Sequence, residues 1–373
     1  MKLGILTVPL GNNYGGLLQA YALQTTLNRL GHETCILRRI HDDRIKSVIR
    51  NLRNLTYSII GKFYVSQIDK LELSKNMIYF ANQYINTKSP LLKTTKALEL
   101  YCKNSKLDGI IVGSDQVWRP SYSPCITNFF FDFIEKRKIK KISYAASFGV
   151  DTWTFSDKET QRCKELIKLF DGVSVREDSG VDLCKQYLDC NAISVLDPTF
   201  LLKKEDYIKL VELEKEPKKT GELFCYVLDK SKQKTELINL IAKKTHFFPY
   251  FCMPKHIDYS EMTLANKADF KYPPVTQWIR SFMDAKMVVT DSFHGCVFSI
   301  IFNKPFWVVA NENRGATRFT SLLNRFGLEN RLLNDLQNYS SIDWDENIDW
   351  EAVSEKRTAW EKESLNYLIS SLS

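Results

Sequence analysis

An α/β fold of two Rossmann-like, doubly wound domains facing a cleft is predicted by three properties of the sequence. Short apolar runs alternate with helical periodicities along both halves, which is the signature of parallel sheets covered on each face. The chain has 373 residues, more than one hydrophobic core usually organises. The alternation is broken once by a polar stretch, Lys203-Lys204-Glu205-Asp206 and then Glu212 to Lys219 around Pro217, and restarts beyond it.

Each element has its own signal. Residues 2 to 8 form an apolar run that stops at Pro9, and Leu17, Leu18, Tyr21, Ala22, Thr25 and Leu27 then recur at helical spacing. The opening unit is therefore strand, glycine-rich loop, helix. Further strands are expected at 33 to 38, Leu107 to Val112, Ile142 to Ala146, Gly172 to Val175 and Ala192 to Leu196. After the polar stretch come strand Leu223 to Leu228, helix 232 to 243, strand Phe247 to Met253 and helix Val275 to Met283. Strand Met287 to Thr290, helix 295 to 302 and strand Phe306 to Val309 complete the second unit. Trp350, Val353, Trp360, Leu365, Leu368 and Leu372 fall at roughly helical spacing, a last helix suited to packing across both halves. The expected division is 1–203, 204–345 and a C-terminal helix over 346–373.

Composition narrows the classes of function. No run approaches the roughly 18 apolar residues of a membrane span, and the segment from Met1 to Pro9 is too short and wrongly flanked for a signal peptide, so a cytoplasmic protein is expected. The nine cysteines include no CxxC pair and several sit inside apolar runs, as Cys35, Cys225, Cys252 and Cys296 do; reduced core thiols are expected, with neither a disulfide framework nor a metal site. A net charge of +8, clustered at Arg38 to Arg53 and at Lys136 to Lys141, suits an anionic partner. No nucleic-acid module accompanies it, so a phosphorylated small molecule or an anionic membrane surface is the better match. The segment Arg44 to Ile60 patterns as a basic amphipathic helix, either lying on such a membrane or packed on its own domain.

Polar residues gather where the apolar runs end, and in an open parallel sheet those ends line the ligand crevice. Asp291-Ser292-Phe293-His294-Gly295 follows one strand and opens a helix, where backbone amides favour anions and a histidine can move a proton, unless it only caps the helix. Gly11 to Gly16 lets a ligand approach the backbone or simply turns the chain; it has neither dinucleotide nor P-loop spacing. Gly113-Ser114-Asp115-Gln116-Val117-Trp118 offers a carboxylate, an amide and an aromatic, a set suited to sugar hydroxyls, or else a helix cap. Arg176 suits bidentate binding of carboxylate or phosphate, or a salt bridge to Glu177 or Asp178. Asp197-Pro198-Thr199 and Asp291 supply further carboxylates, able to act as a base or to orient a histidine.

Taken together, GNNYGGLLQAYAL (11–23), GSDQVW (113–118), YAASFG (144–149), SVRE (174–177), DPTF (197–200) and DSFHG (291–295) resemble the polysaccharide pyruvyl transferase family over about residues 1 to 310. The resemblance implies a glycosyltransferase-B-like enzyme that moves pyruvate from phosphoenolpyruvate onto two hydroxyls of one sugar, making a cyclic ketal on a bacterial surface polysaccharide or its precursor. In that scheme His294, Asp115 and Asp197 are catalytic, and the co-substrate replaces any cofactor. Arg176, Ser292, Gly295, Arg314 and Arg318 meet the donor; Asn13, Tyr14, Gly15, Gln116 and Trp118 meet a glycan or lipid-linked saccharide acceptor. Residues 1–203 form the acceptor side and 204–345 the donor side. Many members carry arginine where this chain has Ser292, so Arg176, Arg314 or Arg318 would supply the missing cation. The competing expectation is a glycosyltransferase with a nucleotide-sugar donor, and a third is a sugar-binding protein without turnover.

Overall fold

The expected alternation closes into two parallel sheets in the computed structural model, which describes residues 1–42, 65–310, 317–333, 342–344 and 346–373. The first sheet joins β1 (Lys2–Leu6), β2 (Glu33–Leu37), β3 (Gly109–Val112) and β4 (Lys140–Ser143) in the order β2-β1-β3-β4. All its pairings are parallel. The pair β5 (Ser174–Val175) and β6 (Ile193–Ser194) continues it through parallel bridges from Ile142 to Gly172 and from Ala146 to Val175. The second sheet runs β8-β7-β9-β10-β11, again all parallel, from β7 (Leu223–Tyr226), β8 (Pro249–Phe251), β9 (Met287–Thr290), β10 (Phe306–Val309) and β11 (Leu332–Leu333). The runs LGIL, GIIV, MVVT and FWVV are buried throughout because helices cover both faces. Pro249, which has no amide to donate, begins the edge strand β8.

The first half contributes α1 (Tyr14–Arg29), α2 (Gln67–Leu73), α3 (Lys75–Gln83), α4 (Thr95–Asn104), α5 (Asp157–Ile167) and α6 (Asp178–Leu188). The second half contributes α7 (Lys204–Leu213), α8 (Lys232–Thr245), α9 (Val275–Asp284), α10 (Phe293–Ile301), α11 (Thr317–Phe326) and α12 (Trp350–Leu372). One apolar cluster runs from Leu3 and Leu23 through Phe200 and Tyr207 to Trp278, Phe298 and Phe319, so the two lobes share a core. Two others fill the outer faces of the sheets. α12 straps the lobes as its periodicity predicted: Val353 and Leu368 enter the shared core, and Tyr367 donates its hydroxyl hydrogen to the Ser143 carbonyl at 2.8 Å.

Some expectations are revised. The strand expected over Phe247 to Met253 is only the three residues of β8, because an edge position leaves Phe251 largely in solvent. α2 and α3 had no counterpart in the sequence reading; their short apolar faces pack on the second lobe, where Asn76 reaches the Tyr272 carbonyl at 2.7 Å. The basic segment Arg44 to Ile60 and Arg314 lie outside the described residues. Among the described residues no helix is long and apolar enough to cross a membrane.

All nine cysteines are free thiols, and only Cys125 and Cys190 are even partly exposed. Burial pushes Cys102, Cys225 and Cys252 up to about 12, far from ionisation at neutral pH. Titration of the native protein with a thiol-specific reagent at pH 8 should therefore register no more than these two groups, against nine after denaturation.

Candidate functional site

Both sheets change winding direction beside their first strand, between β1 and β3 in one lobe and between β7 and β9 in the other, and such switch points open a crevice at the strand ends. The two crevices face each other. Between them lies a cavity of about 490 Å³ walled by Val8, Pro9, Asn12 and Asn13 after β1 and by Asp115 and Gln116 after β3. Opposite stand Tyr226 and Leu228 at the end of β7, Asp291 to His294 after β9, and Arg318 from α11.

Two helices begin at this cavity. Asn13 caps α1 by accepting the Gly16 amide at 3.1 Å, and its own amide group donates to Asp115 at 3.4 Å. α10 starts at Phe293, so His294 sits in its first turn. The ends meet closely: a Cβ added to Gly15 would lie 2.0 Å from His294 Nδ1. Glycine is thus required for the imidazole of one lobe to rest on the helix of the other. Two positive helix ends on one cavity favour an anion. Gly15→Ala should displace the imidazole, costing about 1–3 kcal/mol of stability as an overpacked contact. Turnover by the folded variant should fall at least about tenfold, the share of a barrier that a small misplacement commands, as a melting curve and an activity assay on the same sample would record.

Asp197 is the centre of the polar network. Its Oδ1 accepts from the Thr199 amide at 3.1 Å and the Thr199 hydroxyl at 2.7 Å. Its Oδ2 accepts from Arg176 Nη1 at 3.1 Å and lies 3.2 Å from Ser114 Oγ and 3.5 Å from His294 Nε2. Burial alone would raise the carboxyl, but the attraction of His294, then that of Arg176 and the Thr199 amide, outweigh it and hold Asp197 well below the usual carboxylate range. Asp197 is therefore an anion set against the imidazole of the opposite lobe.

Of the two places expected for Arg176, a ligand anion or a salt bridge to a neighbouring carboxylate, the structure shows the ion pair to Glu177. Its guanidinium, 3% exposed, is enclosed by Asp197, by Asp115 at 3.5 Å and by Glu177 at 3.6 Å, over the face of Phe293 at 4.1 Å. Burial opposes its charge, and the three carboxylates more than reverse that. It does not line the cavity, so instead of gripping a ligand it fixes the carboxylates around it. Among the described residues, the cation on the wall is Arg318, pushed down to about 10 by burial and then by Arg176 and still protonated at neutral pH.

Other expected residues are distributed as follows. Asp115, Gln116, Asn13 and Ser292 line the cavity. Gly295 does not: a Cβ there would come 2.1 Å from Thr290 Oγ1, so the glycine serves close packing beneath the turn. Tyr14 borders the cavity, but its hydroxyl donates to the Pro273 carbonyl at 2.9 Å and its ring stacks on Trp278, a bond between lobes. Trp118 is fully buried, stacked on Phe130 with its indole N–H on the Phe129 carbonyl, and offers no face to a sugar. Among the aromatics on the cavity wall, Tyr122 is the one near Trp118 in sequence, and it is 46% exposed. Asp291 neither orients His294 nor serves as a base, since Leu228 N at 2.7 Å, Asp229 N at 3.1 Å and Lys234 Nζ at 2.6 Å occupy its oxygens. Sequence reasoning missed Lys234, which stands on α8 with no motif around it, and treated Glu177 only as a salt-bridge partner. The Oε1 of Glu177 accepts from the Ser147 hydroxyl at 2.6 Å and the Phe148 amide at 3.1 Å, pinning the loop after β4.

A family model described as polysaccharide pyruvyl transferase matches residues 13–313. Among solved structures, the chain is similar to UDP-GlcNAc 2-epimerase from Neisseria meningitidis bound to UDP-GlcNAc, with a TM-score of 0.54 at 10% identity over 100% of this chain and 99% of that one. It is also similar to Arabidopsis thaliana UGT89C1 complexed with UDP-L-rhamnose, with a TM-score of 0.53 at 9% identity over 99% and 98% of the two chains. At such identities the likeness establishes the two-lobed, glycosyltransferase-B-like fold and leaves the chemistry to the site. No curated protein matches the sequence.

Proposed function

The chain belongs to the polysaccharide pyruvyl transferase family, and from that premise we propose that it moves pyruvate from phosphoenolpyruvate onto two hydroxyls of one sugar, in a bacterial surface polysaccharide or its precursor. The observation that carries this reading is His294, held on Asp197 at the meeting of two helix N-termini, with Arg318 on the same cavity wall. Phosphoenolpyruvate brings a phosphate and a carboxylate, and Arg318 with the two helix ends supplies favourable charge for both. No cofactor enters the scheme.

The chemistry follows from those positions. Protonation of the methylene carbon turns it into the methyl group and leaves an oxocarbenium-like centre at C2, which one sugar hydroxyl attacks while losing its proton. Phosphate then departs with the C2–O bond electrons, and a second hydroxyl attacks C2 to close the ketal, its proton passing to the released phosphate. His294 delivers and recovers protons, and Asp197 holds its ring and offsets the imidazolium charge. Asp115, Asn13 and Gln116 on the first lobe meet the acceptor hydroxyls, which makes that lobe the acceptor side and the second the donor side. Arg176 holds Asp115 and Asp197 in place.

Incubation with phosphoenolpyruvate and a panel of lipid-linked and free glycans should release inorganic phosphate only when the matching acceptor is present, with a mass gain of one pyruvate less water on the glycan. Release of a nucleoside diphosphate from a sugar nucleotide, without phosphate from phosphoenolpyruvate, would overturn the proposal in favour of a glycosyltransferase.

A further inference from the structure

We propose that α11 couples the seating of the two lobes to the donor pocket, with Arg325 acting as a positioning residue for Arg318. α11 follows β10 in the second lobe, yet three of its buried residues are polar. Arg318, Ser321 and Arg325 recur at i, i+3 and i+7, which puts them in one narrow stripe along the helix. Each of the three meets the first lobe. Arg318, at the cavity, lies within electrostatic reach of Arg176, Glu177 and Asp115. One turn on, Ser321 Oγ accepts the Asp178 amide at 3.1 Å. At the far end Arg325 donates to Asp178 Oδ1 at 2.7 Å, to the Val195 carbonyl at 3.2 Å and to the Ser194 hydroxyl, while Trp360 of α12 covers its guanidinium at 4.7 Å.

The physical consequence comes from stiffness and polarity together. Seven residues of helix make a rod about 10 Å long, so an anchor at Arg325 fixes where Arg318 stands. The polar stripe sets the register of a helix whose apolar side stays in the shared core, where Phe326 packs on Phe200 at 5.4 Å. Binding is reciprocal: an anion that engages Arg318 must in turn tighten α11 on the first lobe. Only the choice of that anion rests on the function proposed above.

The test uses the full chain with phosphoenolpyruvate as probe, titrated by calorimetry. Arg325→Gln should weaken binding about tenfold, within the usual range of coupling between sites. Arg325→Lys should recover part of the loss, because an ammonium still reaches Asp178 but not the other partners. In an Arg318→Gln background the same Arg325→Gln change should matter by less than about twofold, since the group it positions is gone. An equal loss in both backgrounds overturns the proposal. Absence of phosphoenolpyruvate binding to the wild type would reject the donor assignment, and hydrogen exchange of the ligand-free protein then decides this point alone. Arg325→Gln should speed exchange along all of α11, including the turn that carries Arg318; acceleration confined to the last turn would refute the coupling.

Discussion

A folded His294→Asn protein is expected to transfer pyruvate about 10²- to 10⁴-fold more slowly than the wild type, the range in which positioned proton transfer contributes to a rate. Asparagine keeps a polar side chain of similar reach in the first turn of α10, and the neighbouring helix tolerates it because Gly15 presents no Cβ. It can still accept or donate a hydrogen bond near Asp197. What it cannot do is carry a proton to the methylene carbon and take one from the acceptor. The loss should therefore fall on kcat, while the affinity for phosphoenolpyruvate, governed by Arg318 and the helix ends, changes little. Rapid-quench measurement of phosphate release at saturating donor is the relevant experiment. An unimpaired rate in a variant with a native circular-dichroism spectrum would remove His294 from the chemistry.

The parts of this site that were legible in the sequence are those set by one strand end at a time. Runs such as GIIV and MVVT read as strands because both their faces are buried, and the polar residues just beyond them had to lie at the crevice. His294, Asp115 and Asp197 could be singled out on that ground. Which groups neutralise one another could not. Arg176 meets carboxylates at 115, 177 and 197, delivered by three separate strand ends, and no local pattern shows that a guanidinium will be surrounded and so withdrawn from the ligand. Trp118 failed for a related reason: its position beside Asp115 and Gln116 suggested a platform, but the ring turns into the core between Phe130 and Phe148, and only tertiary packing decides that. Tyr122, four residues on, does line the cavity. Asp291 was legible as a strand-end carboxylate but not as the partner of Lys234, which stands 57 residues earlier in sequence and meets it only across the switch point.

Removing the Asp197 carboxylate altogether, as in Asp197→Ala, should destabilise the protein by about 3–5 kcal/mol, the usual cost of breaking a buried ion pair from one side. Three kinds of partner lose their acceptor at once: the Arg176 guanidinium, the Thr199 amide and hydroxyl, and the imidazole from the opposite lobe. Asp197→Asn keeps the shape and the Thr199 bonds, so its cost should be smaller, which separates the charge from the volume. The pH dependence has a definite sign. An aspartate has an unfolded pKa of about 3.9, and in the folded protein Asp197 is held below that value by His294 and Arg176 despite burial. Its contribution to stability is therefore complete above about pH 4 and is lost as the pH falls further, because the unfolded chain then binds a proton that the folded one refuses. Urea midpoints of wild type and Asp197→Asn should differ at pH 5 and converge as the pH falls below about 4. A gap that widens on acidification would mean that Asp197 is protonated in the folded protein, and an anion orienting His294 could not then be its role.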